Sequence, residues 1–325
     1  MKLKFSSRIS WATRAALCCV GWLGTHSCMA AELRVGIIGT DSSHAVEFTR
    51  MLNDVAAKDH VGGARVVAAY RGGSPHLAIS RDRIAAFSAT LVERWKIPFV
   101  PRIADLCPKI DGLLLLSADP ETRTAEFREA AACGKPIFVD KPFAPTLKAA
   151  REMADYAERH HVAWFSASAL RFGEVESLRQ GARGAEVWGP GALGEGYALD
   201  LSWYGIHSIE LLYAVMGPGV RSVTRLHTAD TDIITAVWAD GRVGSIHLVR
   251  PDMAFGIVVF QSGGKAKVLS PIAVDYAPLL RKIVAFYGSK AAPVSANETL
   301  EVFALMEAAQ RSMKSGALEV LPMLD

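Results

Sequence analysis

The sequence predicts an α/β protein: a parallel sheet covered on both faces, then an α+β unit with an open, mostly antiparallel sheet. Three observations predict it. Up to about residue 166, short apolar runs without polar alternation take turns with helical stretches, as strands buried on both faces by crossover helices do. Beyond about residue 172 the runs alternate, as in Ile233, Thr235 and Val237 against Ile234, Ala236 and Trp238. One face of that second sheet is therefore open to a partner or to substrate. Finally, 325 residues are too many for one ordinary core and suit two. The expected division is a leader over 1–30, a first domain over 31–166 and a second over 167–325.

The leader carries Lys2, Lys4, Arg8 and Arg14 with no acid, then an apolar stretch at 15–23 and the small residues around Cys28-Met29-Ala30-Ala31. That is the layout of a secretory signal, so the chain is expected to be exported, periplasmic or secreted. Thr25-His26-Ser27-Cys28 is a poor lipobox, and no lipid anchor is expected. Without the leader, the net charge of +3 becomes 32 bases against 33 acids. Such a balance gives no electrostatic reason to expect nucleic acid. No apolar run reaches the ~18–20 residues of a spanning helix. Three of the five cysteines leave with the leader. Cys107 and Cys133, each just ahead of an expected strand, are read as unpaired, inert thiols, a disulfide being permitted outside the cytosol.

In order, strands are expected at 33–38, 65–70, 98–100, 111–117, 136–140 and 162–166. Helices are expected at 44–54, 80–95, 104–106, 120–133 and 145–160. Ser80 is read as an N-cap; Asp119 caps and Pro120 starts the 120–133 helix, which Gly134 stops. Residues 181–196, rich in glycine, are read as a long surface excursion. A helix at 202–216 ends on Gly217-Pro218-Gly219. Strands follow at 220–227, 232–239, 242–249 and 256–261, with Asp240-Gly241 as a hairpin turn. A helix at 298–315 closes the chain.

A parallel sheet of this kind binds ligands beyond the carboxyl ends of its strands. After the first strand, residues 35–44 read VGIIGTDSSH. Gly39 and Thr40 stand where a dinucleotide fold makes its tight turn, but Asp41 and His44 replace the second and third glycines. Asp41 places a carboxylate where phosphates sit, unless it turns away or caps the next helix. The amides of Ser42, Ser43 and His44 still point at an anion from a helix N-terminus. The bland reading makes Asp41 or Ser42 simply that helix's N-cap. After the second strand, Arg71 offers donors suited to a 2′-phosphate, which favours NADP over NAD.

Asp140-Lys141-Pro142 at the end of strand PIFVD resembles the Glu-Lys-Pro signature of the glucose–fructose oxidoreductase / inositol dehydrogenase (Gfo/Idh/MocA) family. Cys133-Gly134-Lys135-Pro136, Leu170-Arg171-Phe172, the segment from Tyr204-Gly205-Ile206-His207 to Glu210 and the tail ETLEVFALMEAAQRS agree in order and spacing. The resemblance spans 33–325. It implies a Rossmann domain, a second domain whose open sheet serves homo-oligomerisation, and a nicotinamide cofactor between them, with a sugar or polyol as substrate. It also implies that Lys141 bonds the reacting hydroxyl and that His207 accepts its proton, with Glu210 and Tyr204 beside it. The implied cofactor set is Gly39, Thr40, Asp41, Ser43, His44, Arg71, Ser117, Asp119, Asp140, Lys141 and Pro142. The glycine loop departs from the family pattern, and Trp203 stands where the family has an aspartate.

The chemistry suits these residue types. Hydride leaves carbon only as the hydroxyl loses a proton, which calls for a base such as histidine and a buried ammonium to steady the alkoxide. The leading expectation is an NAD(P)-dependent oxidoreductase acting on a sugar, glycoside or polyol carbon. Two alternatives stay open: a lyase or hydratase on oxidised sugars using the same Lys and His, and a non-catalytic ligand-binding scaffold. No HExxH, CxxC or paired-His spacing supports a metal.

Overall fold

Six all-parallel strands open the computed structural model, which describes residues 31–323 apart from Glu195. The expected leader lies outside the described residues. The strands are β1 (Leu33–Ile38), β2 (Ala64–Tyr70), β3 (Phe99–Val100), β4 (Gly112–Leu115), β5 (Ile137–Val139) and β6 (Trp164–Ser166). Their order is β3-β2-β1-β4-β5-β6, so the direction of winding reverses between β1 and β4. Every residue of β4, β5 and β6 is buried, as their unbroken apolar runs require.

The connecting helices are α1 (Ser43–Asn53), α2 (Ala78–Glu93), α3 (Pro120–Ala131) and α4 (Leu147–Arg159). Ser42 caps α1 and Asp119 caps α3. Ser80 does not cap α2. The serine six residues earlier makes the turn: Ser74 Oγ accepts from the amides of His76 and Leu77, while buried Ser80 Oγ accepts from the Ser74 amide.

The second sheet takes β7 (Ala182–Pro190), then helix α5 (Gly205–Met216), then β8 (Val220–His227), β9 (Thr231–Trp238), β10 (Val243–Val249), β11 (Phe255–Gln261) and β12 (Lys265–Ile272). Two helices follow, α6 (Ala277–Ser289) and α7 (Ala296–Ser315), before the short β13 (Glu319–Val320). The order is β12-β11-β7-β10-β9-β8-β13, antiparallel except where β7 runs parallel to β10. In β9, Ile234, Ala236 and Trp238 turn inward while Ile233 is exposed, as the alternation predicts.

Two further expectations are corrected, and one element is added. Residues 182–190 are no surface excursion but an interior strand of the second sheet. Their glycines are where neighbours close in: a Cβ at Gly189 would overlap the Phe255 ring. Cys107 and Cys133 are not free thiols; they form a disulfide with Cα atoms 5.0 Å apart. Each precedes a strand, and those strands, β4 and β5, are neighbours, so the lead-in segments lie side by side. And α6, absent from the sequence reading, leaves the second sheet to pack on the first. Its residues Leu280, Ile283, Phe286 and Tyr287 join the core of β1, β4, β5 and α1. Tyr287 donates to the Leu113 carbonyl at 2.6 Å.

Candidate active site

The carboxyl ends of β1, β4 and β5 open into a cavity of about 260 Å³, which the start of α5 and the segment before α6 also line. Gly39 makes the turn out of β1 at φ +86°, and a Cβ there would overlap Ser117 at the end of β4. Only glycine lets the two loops approach so closely.

Lys141 leaves β5 into this cavity. Its Nζ donates to the Trp203 carbonyl at 3.2 Å and lies 5.5 Å from the Trp203 ring centre. Burial, opposed by Asp140 and reinforced by Arg123, brings the ammonium down to about 8. His207 sits in the first turn of α5, its Nδ1 2.7 Å from Ser168 Oγ. Burial first, then the charges of Lys141 and His44, push it well below its ordinary value of 6.5, so the ring is neutral at physiological pH. Tyr204 meets His207 edge-on, ring centres 5.4 Å apart.

On the opposite wall, His44 Nδ1 is 2.6 Å from Asp140 Oδ2 and its Nε2 is 3.2 Å from the Tyr276 hydroxyl. Burial works to raise Asp140, but His44, Lys141 and Arg123 outweigh it and hold the carboxylate at about 2. Asp41 has turned aside. Its Oδ1 accepts from the Ala118 amide at 3.1 Å, while buried Oδ2 has no partner. Beneath them Arg123, 1% exposed, donates to the carbonyls of Ser117, Asp140 and Pro142 and ties the exits of β4 and β5 together.

The structure thus brings Asp41, Ser43, His44, Asp140, Lys141, Tyr204 and His207 to one cavity. Gly39, Thr40, Ser117 and Pro142 support it from below. Thr40 bonds the Arg71 carbonyl and Ser88, and Ser117 Oγ is 2.5 Å from Glu126, whose carboxyl burial raises to about 7. Asp119 is occupied as the cap of α3, accepting from Glu121. Arg71 is exposed at the end of β2 and does not line the cavity. Glu210 is a correction: its carboxylate is bonded not to His207 but to Arg171, against which it is buried and which also binds Glu298. Its partner is thus the arginine of Leu170-Arg171-Phe172, and Ser168 is the residue that holds the imidazole. Asp140 likewise takes the Lys141 amide at 2.8 Å rather than its ammonium.

Sequence reading missed Arg123, Ser168 and Tyr276. Arg123 reads as one more charged residue on an exposed helix. Ser168 carries a usable signal, since it stands just after a parallel strand, where such folds place ligand contacts. Tyr276 belongs to a segment whose following helix was not recognised.

Residues 33–168 match the model of the Gfo/Idh/MocA family, described as an oxidoreductase family with an NAD-binding Rossmann fold. No curated protein matches the chain in sequence. Among solved structures, the myo-inositol dehydrogenase of Lactobacillus casei in complex with NAD(H) and myo-inositol superposes with a TM-score of 0.71 at 16% identity, over 90% of this chain and 98% of that one. The myo-inositol 2-dehydrogenase of Lactobacillus plantarum gives 0.69 at 14%, over 90% and 100%. The WlbA dehydrogenase of Bordetella pertussis with NADH and UDP-GlcNAcA gives 0.67 at 17%, over 90% and 98%. At these identities the likeness is one of fold. The family match over residues 33–168 and the dehydrogenase folds together support an NAD-dependent oxidoreductase.

The residues present fit such a cofactor. The N-terminus of α1 presents Ser43 to the cavity, and Arg83 adds positive charge at its edge, both suited to a pyrophosphate. The orphaned Asp41 Oδ2 suits a hydroxyl or amide donor and not a phosphate oxygen. A second hollow of about 470 Å³, lined by His76, Leu77 and Gly194, shares Ile79, Tyr197 and Trp203 with the cavity and gives the added room. Among the described residues, no group of His, Cys, Asp and Glu is placed to hold a metal ion.

Proposed function

We propose that this oxidoreductase moves hydride to or from a hydroxyl-bearing carbon of a sugar, glycoside or polyol. The observation that carries the reading is Lys141 and His207, 66 residues apart in sequence, facing one cavity at the point where the parallel sheet reverses its winding. Polyol and sugar-nucleotide ligands in the similarly folded dehydrogenases support the substrate class.

Ser43 and Arg83 would hold the cofactor's phosphates, and Asp41 and Lys141 its nicotinamide end. When bound, the cofactor supplies the hydride acceptor. Lys141 donates to the reacting oxygen and steadies negative charge on it as the proton leaves. His207, neutral and steadied by Ser168, keeps one ring nitrogen for the same hydroxyl. Trp203, half-buried beside Lys141, offers an apolar platform for a sugar ring.

Three finer readings go with it. Arg71 at the end of β2 supports NADP as the preferred form. The basic leader and the Cys107–Cys133 disulfide support export to an oxidising compartment. The exposed Ile233, Val243 and Phe260 on the open sheet support a homo-oligomer. The test is titration of the purified protein with NAD(H) and NADP(H), followed by turnover with a polyol panel. Folded protein that binds neither dinucleotide ends the proposal, and equal affinity for both, unmoved by Arg71→Asp, removes the NADP preference.

A further inference from the structure

One chain of hydrogen bonds across the cavity is unused by the chemistry above. It runs from Asp140 Oδ2 to His44 Nδ1 at 2.6 Å, and from His44 Nε2 to the Tyr276 hydroxyl at 3.2 Å. Its members come from the end of β5, the first turn of α1 and the residue before α6, and all three line the cavity. The imidazole stacks on Phe48 with ring centres 5.0 Å apart and planes 5° apart, which fixes its orientation.

The direction of the chain follows from its ends. Asp140 is ionised and accepts only, so His44 carries its hydrogen on Nδ1. With one hydrogen on the ring, and that on Nδ1, Nε2 is the acceptor and the Tyr276 hydroxyl the donor of the 3.2 Å contact. Burial, reinforced by Asp140, Tyr204 and Glu47, pushes that hydroxyl up to about 12, so it enters any transfer as a neutral group. His207 differs in kind. Its Nδ1 meets a hydroxyl, and a proton placed on the ring would sit in a desolvated pocket beside Lys141. Of the two imidazoles, His44 is the one with a carboxylate in contact to balance a positive charge.

We propose that Tyr276, His44 and Asp140 form a proton relay that takes up the proton the substrate hydroxyl loses and holds it on His44. The relay rests on the oxidoreductase reading for its purpose. In the oxidising direction the substrate O–H bond breaks as its proton joins the Tyr276 oxygen. The Tyr276 proton passes to His44 Nε2, leaving an imidazolium against the Asp140 carboxylate. The C–H electron pair leaves with its hydrogen as hydride to the oxidised nicotinamide, and reduction runs the steps backwards. Tyr276 is the member that meets the substrate; His44 and Asp140 are positioning residues that act through it. Lys141, Arg123, His207, Tyr204 and Glu47 are the other titratable or charged groups acting on this chain.

Nitrogen NMR of the histidine rings in the purified protein, with His44 assigned through His44→Gln, tests the arrangement without any turnover. The expected result is the Nδ1–H tautomer in the wild type, lost in Asp140→Asn, with the Nε2 signal moved in Tyr276→Phe. Kinetics with NAD⁺ and myo-inositol as probes form the second arm. There His44→Gln and Tyr276→Phe slow turnover by about 10²-fold or more and reshape its pH profile. Added imidazole restores part of the rate to His44→Ala, which a structural role would not allow. An Nε2–H tautomer indifferent to Asp140→Asn overturns the relay, as do variants with wild-type rates and pH profiles. Wild-type protein that reduces no NAD⁺ with any polyol counts against the oxidoreductase reading instead, and the ring tautomer alone then decides the relay.

Discussion

Lys141 sits among opposed forces: burial, the largest, and Arg123 work against its charge, and Asp140 works for it. The net value of about 8, below the ordinary 10.5, gives the sign of its pH dependence. On the proposed reading, the cation that steadies an alkoxide is present below about 8 and fades above it. Hydride transfer therefore falls as pH rises through about 8. Lys141→Ala lowers kcat by about 10²–10⁴-fold and removes that limb, while Lys141→Arg stays charged and flattens it. A kcat profile from pH 6 to 10 checks both. That Lys141 and His207 would meet at one cavity was legible because a short motif marks each. Glu210 was misread because helix spacing says which residues share a face, not what that face meets, and it meets Arg171. Arg123 and Ser168 act through backbone carbonyls and one imidazole, contacts that exist only once the strands are paired.

The parallel strands of the first sheet were legible as elements nearly to the residue, because a strand buried on both faces is unambiguous when Gly and Pro bound it. In β7 the same punctuation misled. Gly184 and Gly189 lie within the strand because partners from β10 and β11 crowd them. The mirror case is Gly256 in β11, directly opposite Trp188, where a Cβ would run into the indole. Gly256→Val is therefore expected to cost about 1–3 kcal/mol by overpacking, read as a lower urea midpoint. An unchanged midpoint would mean that the tryptophan has another place to go. β12 escaped notice for a different reason. Lys265, Lys267 and Pro271 give it the polar character of an edge strand, which it is.

For the whole molecule, the disulfide joins the entrances of two neighbouring central strands across 26 residues of sequence. Replacing both cysteines by serine is expected to lower stability by about 3 kcal/mol, seen as a drop in unfolding temperature that a reductant reproduces in the wild type. Mass spectrometry of unreduced, denatured protein after alkylation should find neither Cys107 nor Cys133 labelled. Both the two-sheet plan and the open face were readable from polarity alone. The interleaving of the halves was not, since it depends on α6 recrossing to a sheet finished more than a hundred residues earlier.

That recrossing bears on engineering. Tyr287 lies against Gly112 and bonds the carbonyl of Leu113, and Phe286 meets Phe165, so residues 277–289 complete the hydrophobic layer over the nucleotide-type sheet. A fragment cut after residue 172 would leave that layer bare to water and invite aggregation. A chimera grafting a foreign sugar-binding half onto this scaffold would succeed only by carrying this returning helix along, as a buckle that both halves share.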